Sequence, residues 1–178
     1  MKPRGCITLR SANDSEARSL HALISANRAE GHLLPRTLGE LALHATRFVV
    51  ATRGRRVVGC AELAALSPQV AEVRSLAVDR RERGQGVGTM IVDELRRRAQ
   101  REGFEKLCAF THAPAYFIQM GFSIVPHTWL IDKLTTDCVK CPLFRTCGQY
   151  AMVVPLDSVY DVDRAPASAQ PAAVARYA

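Results

Sequence analysis

No stretch of the 178-residue chain approaches the roughly 18 consecutive apolar residues that a membrane-crossing helix requires, so neither a span nor a membrane partner is expected. The opening residues, "MKPRGCITLRSAND", lack the apolar centre and small-residue cleavage site of a secretory signal, so a cytoplasmic location is expected. No internal repeat is visible, and the length suits one domain with a real core better than two. Acidic residues are in deficit, 17 Asp and Glu against 24 Lys and Arg, and the resulting net charge of +7 favours anionic partners of any kind. Aromatic residues are scarce as well. None is interleaved with the arginines at 96, 97, 98 and 101, so the stacking platform of a single-strand nucleic-acid binder is missing and no nucleic-acid partner is expected.

Six cysteines in a reducing compartment argue against disulfides. Cys6, Cys60 and Cys108 stand alone in apolar surroundings and read as core. Cys138, Cys141 and Cys147 form C-x2-C-x5-C, which stops one ligand short of a structural zinc site; His127 or Cys108 would have to fold back to complete it. The favoured assignment is therefore no metal, with the three thiols packed in a loop over the site.

The hydrophobic period alternates along the chain between that of strands and that of helices. "CITLRSA" reads as a strand. A helix capped by Asp14 follows, with Ala17, Leu20, Leu23 and Ile24 on one face and Gly31 as its stop. A short helix begins at Thr37, and "RFVVAT" and "RRVVGCAELAAL" flank Gly54 as a hairpin. In the next strand, "QVAEVRSLAV", alternation puts Glu72 and Arg74 on one face and Val73 and Ser75 on the other. Val87, Met90, Ile91, Leu95 and Ala99 then form a helical stripe, with the arginines facing solvent and Gly103 as the stop. "KLCAFT", "PAYFIQM", "GFSIVP", a cysteine-bearing loop and "YAMVVPL" complete one domain over residues 1–156. Residues 157–178, poor in large apolar side chains, are expected to form a mobile tail.

The segment "RSLAVDRRERGQGVGTM" sets a strand, a glycine-bearing loop and a helix in succession. Backbone N–H groups from Gln85 to Thr89 then lie at a helix N-terminus, where the macrodipole and unpaired donors favour a phosphate, and Gly84, Gly86 and Gly88 let it come close. Arg83 adds charge-assisted contacts.

This loop resembles the acetyl-coenzyme A loop of the GNAT superfamily of N-acetyltransferases, whose pattern of Arg or Gln, two residues, Gly, one residue, Gly or Ala is filled by Arg83, Gly86 and Gly88. "AYFIQMGF" is similar to the second signature of that family, a short helix followed by Gly121 and Phe122. The resemblance covers residues 6 to 156. It implies an α/β fold with a mixed, mostly antiparallel sheet that splays at the acetyl-coenzyme A site and is flanked by helices. It also implies direct acetyl transfer from acetyl-coenzyme A to an amine. The pyrophosphate would rest on Arg83, Gly84, Gln85, Gly86, Val87, Gly88 and Thr89, and the pantetheine would run along Leu76, Ala77 and Val78 near Phe117. Glu72 aligns with the general base of histone-type members, its alternative being an ordinary surface glutamate. The family's usual proton donor to the thiolate, a tyrosine four residues before the Gly-Phe glycine, is replaced by Phe117, which leaves the adjacent Tyr116 as candidate acid.

Three further stretches, "EGHLLPRTLGEL", "FVVATRGRRVVGCAEL" and "DCVKCPLFRTCGQYAMVVPL", resemble short, single-domain bacterial N-acetylglutamate synthases, which implies L-glutamate as acceptor and the first step of arginine biosynthesis. Two carboxylates favour arginine forks, and Arg36 and Arg74 are the candidates. Another small amine, amino acid or protein terminus stays open as acceptor, and so does a non-catalytic coenzyme A sensor, which Phe117 favours. A homodimer is the default for a small enzyme.

Overall fold

The computed structural model describes residues 6–29 and 33–156; Gly31 and the expected tail at 157–178 lie outside the described residues. Strand β1 (Ile7–Ser11) leads to a turn capped by Asn13 rather than Asp14. Asn13 Oδ1 accepts from the Ser15 N–H at 3.1 Å and the Glu16 carboxylate accepts from the Asn13 N–H at 3.0 Å, so two orphan donors are satisfied reciprocally. Helix α1 (Ala17–Arg28) continues from that turn, and α2 (Leu38–Leu43) starts at Thr37, whose hydroxyl caps the Glu40 N–H at 3.2 Å. Strands β2 (Phe48–Arg53) and β3 (Arg56–Ala65) form the expected hairpin, followed by β4 (Val70–Val78), α3 (Val87–Arg101), β5 (Lys106–Thr111), α4 (Pro114–Ile118), β6 (Ser123–Val125) and β7 (Tyr150–Pro155). The segment read as a plain cysteine loop instead holds a helix, α5 (Ile131–Thr136), and 3-10 turns at His127–Trp129, Cys138–Lys140 and Phe144–Thr146.

The seven strands form one sheet in the order β1-β2-β3-β4-β5-β7-β6, antiparallel except for β4 and β5. That parallel pairing is short: Val70 to Val73 face Lys106 to Ala109, and then the two strands part. The cause lies in β4, where the register against β3 moves from Glu62–Arg74 to Cys60–Ala77 across an extra residue, and Ser75 takes a left-handed φ of 53°. The bulge overrides the expected alternation, because Ser75 reaches the same cleft as Glu72 and Arg74.

Helix α3 lays Val87, Ile91, Val92, Leu95 and Ala99 on one face of the sheet, and Leu20, Ile24 and Leu41 from α1 and α2 cover the other. Each fully buried Leu or Ile contributes about 1.5–3 kcal/mol. The arginines of α3 are not simply solvated. Arg96 stacks over the Phe122 ring at 5.5 Å and donates to the Met120 carbonyl, while Arg98 donates to the Thr46 and Arg47 carbonyls at 3.3 Å and to the Ser11 hydroxyl at 2.7 Å. Arg97 and Arg101 are exposed and pair with Glu94. Of the three cysteines expected in the core, Cys60 and Cys108 are buried but Cys6, at the entry to β1, is exposed. Among the described residues, no helix is long and apolar enough to cross a membrane.

Candidate active site

Helix α3 begins at Gly86, which holds the N-cap position at φ 75° with no side-chain cap, so the first-turn N–H groups of Val87, Gly88 and Thr89 remain open to an anion. Gly88 answers a different need: a Cβ there would sit 2.5 Å from the Tyr116 hydroxyl. The side chains of Arg83 and Gln85 are already used by the fold. Arg83 donates to the Val78 carbonyl at 3.1 Å and to Asn27 Oδ1 at 2.8 Å, and Gln85 donates to the Arg81 carbonyl at 3.1 Å. The preceding turn is anchored by Glu82, a buried carboxylate that holds Arg53 at 2.7 Å and Arg56 at 3.1 Å across the β2–β3 hairpin. Glu82 is a positioning residue that the sequence did not single out.

Leu76, Ala77 and Val78 lie beyond the point where β5 leaves β4, so among the described residues their outer edge has no strand partner. Ala77 is buried and offers only its backbone, whereas Leu76 and Val78 are half-buried. Tyr116 lies nearby: a Cβ at Gly88 would be 2.5 Å from its hydroxyl and 3.7 Å from a Val78 methyl. Burial holds its phenol above the ordinary 10.0, with the Thr89 hydroxyl opposing, so it keeps its proton at neutral pH. Phe117 is a core residue in edge-to-face contact with Tyr116 at 5.3 Å and Phe122 at 5.2 Å.

Across β4 from the helix end is a cleft of about 300 Å³, walled by Leu33 to Arg36, by Glu72 to Ser75 and by the segment between β6 and β7. Glu72 is 3% exposed, which removes the surface reading. Its carboxylate binds Arg74 and takes both 2.7 and 2.9 Å contacts from Lys133 Nζ. Arg74 also pairs with Asp137, and Lys133 reaches that same carboxylate at 2.9 Å. Arg36 bonds the Ser75 hydroxyl at 2.9 Å and forms ion pairs with Glu40 at 2.7 Å and Glu62 at 2.8 Å. Glu62, 1% exposed, also faces His44 Nδ1 at 3.3 Å. The structure thus brings Arg36, Glu72 and Arg74 to one cleft, with both arginines already engaged by protein carboxylates. Lys133, Asp137 and Glu62 were not singled out from the sequence; the i, i+4 spacing of Lys133 and Asp137 was the one available signal.

Cys138, Cys141 and Cys147 line the outer wall of the cleft, and among the described residues no group of three or more His, Cys, Asp or Glu is arranged to hold a metal ion. Two further thiols, Cys60 and Cys108, are buried. Burial pushes Cys60 up to about 12, with Arg36 only partly opposing, and burial together with Glu72 raises Cys108. Since the thiolate is the reactive form, iodoacetamide at about pH 8 is expected to modify exposed Cys147 in the native protein and to spare Cys60 and Cys108 until unfolding. Peptide mass mapping checks this; native labelling of Cys60 would contradict it.

Residues 5–122 match the acetyltransferase (GNAT) family. The chain is similar to an uncharacterized N-acetyltransferase of Chlorobaculum tepidum, 28% identical over 85% of this chain and 97% of that protein. It is 27% identical to an amino-acid acetyltransferase of Pasteurella multocida over 71% of this chain, but spans only 29% of that relative. Among solved structures, Rv2747 from Mycobacterium tuberculosis, in complex with CoA and NLQ, superposes with a TM-score of 0.73 at 23% identity, covering 83% of this chain and 98% of the other. The N-acetylglutamate synthase from Neisseria gonorrhoeae, complexed with coenzyme A and N-acetyl-glutamate, gives 0.72 at 21% identity, covering 86% of this chain and 36% of that one. At these identities the structural likeness is one of fold.

Proposed function

The chain belongs to the acetyltransferase (GNAT) family, and from that premise we propose that it moves the acetyl group of acetyl-coenzyme A directly to the amino group of L-glutamate, as an N-acetylglutamate synthase. The observation that carries the proposal is one strand serving two sites. Strand β4 offers an open edge at Leu76 to Val78 beside the uncapped start of α3, and a few residues earlier a buried carboxylate, Glu72, in a charged cleft. The first-turn N–H groups of α3 and the backbone of Arg83 to Gly86 hold the pyrophosphate, and the β4 edge pairs with the pantetheine. Glu72 takes the proton from the attacking amine, and Tyr116, which keeps its proton at neutral pH, donates to the departing thiolate. The amino-acid acetyltransferase among the relatives supports an amino acid as acceptor, and the gonococcal synthase complexed with N-acetyl-glutamate supports glutamate among them.

One observation favours a second acceptor class. Arg36 and Arg74 are both paired with protein carboxylates, which suits a neutral amino acid or a peptide terminus better than a second dicarboxylate. Thiol release from acetyl-coenzyme A across the amino acids separates the two: release with glutamate well above glutamine supports the synthase, and equal release with both removes it.

The cofactor end carries its own prediction. At Gly86 a Cβ would meet nothing within 4 Å, so Gly86→Asp leaves the packing intact and costs only the left-handed φ, on the order of 1 kcal/mol. Its carboxylate would occupy the anion position, and calorimetry is expected to show acetyl-coenzyme A binding lost in a folded protein. Unchanged affinity would remove the cradle.

A further inference from the structure

The cleft holds two cations that share one outer carboxylate. Arg74 and Lys133 both bind Asp137, while both also bind Glu72 beneath it. The two carboxylates differ in depth, with side-chain exposure of 4% for Glu72 and 38% for Asp137. They differ in attachment too. Glu72 is fixed in the middle of the sheet, paired with Cys108 on β5, whereas Asp137 sits just past the end of the six-residue α5, at the start of a run of short turns. Lys133 is further held over the Phe110 ring at 5.3 Å, so the cations are better anchored than the outer anion they bind.

We propose that Arg74 Nη2 and Lys133 Nζ form an exchangeable seat for the side-chain carboxylate of the acceptor, and that Asp137 fills this seat while the cleft is empty and yields it when an acceptor with a side-chain carboxylate enters. The charge balance requires exchange rather than addition. With Asp137 seated, the two cations are matched by two anions, and a third carboxylate beside Glu72 would be unpaired in a partly buried site. A carboxylate that replaces Asp137 restores the balance, while a neutral amide leaves the seat's cations short of an anion once Asp137 has moved. Asp137 stays ionised at neutral pH: burial alone would raise it, but the hydrogen bond and charge of Lys133, with Arg74 and Lys140, hold it below the ordinary 3.8. This inference rests on the acceptor class proposed above and adds Lys133 as a residue that selects it.

The test uses the whole chain and two readouts. In thiol-release kinetics, Asp137→Asn, which keeps the shape and removes the competing charge, is expected to lower KM for glutamate relative to KM for acetyl-coenzyme A. Lys133→Met is expected to raise KM for glutamate about tenfold or more, the cost of one charge-assisted hydrogen bond, with Lys133→Arg recovering most of the loss. Glutamine should respond little to either change. The second readout needs no chemistry: calorimetric binding of glutarate, a dicarboxylate without an amine, is expected to tighten in Asp137→Asn and weaken in Lys133→Met. Asp137→Ala serves where the asparagine variant folds poorly. Glutarate binding that is absent, or that Asp137→Asn leaves unchanged or weakens, overturns the seat. Glutarate binding as expected without thiol release on glutamate would instead overturn the synthase proposal and leave the seat standing.

Discussion

Glutamine in place of Glu72 is expected to lower turnover by about 10² to 10⁴, the range for losing a positioned general base, or about 3–5 kcal/mol in the barrier. The substitution is nearly isosteric, and the backbone that carries it is fixed by parallel pairing with Cys108. The single amide oxygen can still accept from Arg74 and Lys133 in place of Oε2, though the contact of Lys133 with Oε1 is lost, and KM for acetyl-coenzyme A, whose proposed site is at the other end of β4, should hardly move. The deficit should shrink as pH rises and the acceptor amine deprotonates unaided. Thiol-release kinetics across a pH series, with circular dichroism to confirm the fold, provide the measurement. Full activity at neutral pH would reduce Glu72 to a member of the ion network.

Glu62→Ala should act on stability instead, by roughly 3–5 kcal/mol, because it leaves Arg36 without its innermost partner in a site where Arg36 is 10% and Glu62 1% exposed. For a domain of this size each kcal/mol shifts Tm by about 2–4 °C, so a fall of roughly 6–20 °C is expected in a thermal melt. The double variant Glu62→Ala with Arg36→Met removes the stranded charge as well and should recover much of that loss. A single-variant shift of a degree or two would mean that the pair is effectively solvated. The Ser75 hydroxyl and Glu40 bind the same guanidinium, so loosening Arg36 also loosens one wall of the cleft.

Local signals carried most of the element order. The Gly54 hairpin, the Thr37 cap, the stripe of α3 and the glycines before it are read from neighbours within a few positions, and each stands where expected. The misses share a physical cause: they depend on contacts between distant residues. Asn13 displaced Asp14 as cap because a cap is chosen by which carbonyl or carboxylate lands on the free N–H, and both types serve. Ser75 is not a glycine, so nothing local announced its left-handed φ or the bulge that turns it into the cleft. Helix α5 has six residues, no side-chain cap and no apolar stripe long enough to show a period, so Lys133 and Asp137 could not be placed. Glu62 and Glu72 each look like the outward residue of an alternating strand, and only α1, α2 and the segment after β6 convert that face to an interior. Arg96 and Arg98 look solvated from sequence because their acceptors, the carbonyls of Met120, Thr46 and Arg47, lie far along the chain.

The segment that carries Lys133, Asp137 and the three cleft cysteines leaves the sheet after Val125 and returns at Tyr150, next to Ala151, the direct partner of Val125 across the β6–β7 pair. In topological terms that whole wall of the cleft is the loop of a hairpin. Its ends stay side by side whatever lies between them, and lengthening such a loop costs little, about 0.6 kcal/mol for each doubling. It also begins past residue 122, where the family match stops. A chain built on this plan can therefore exchange one insert and acquire a different clientele of amines while the strand, glycines and helix proposed to receive the donor stay unchanged.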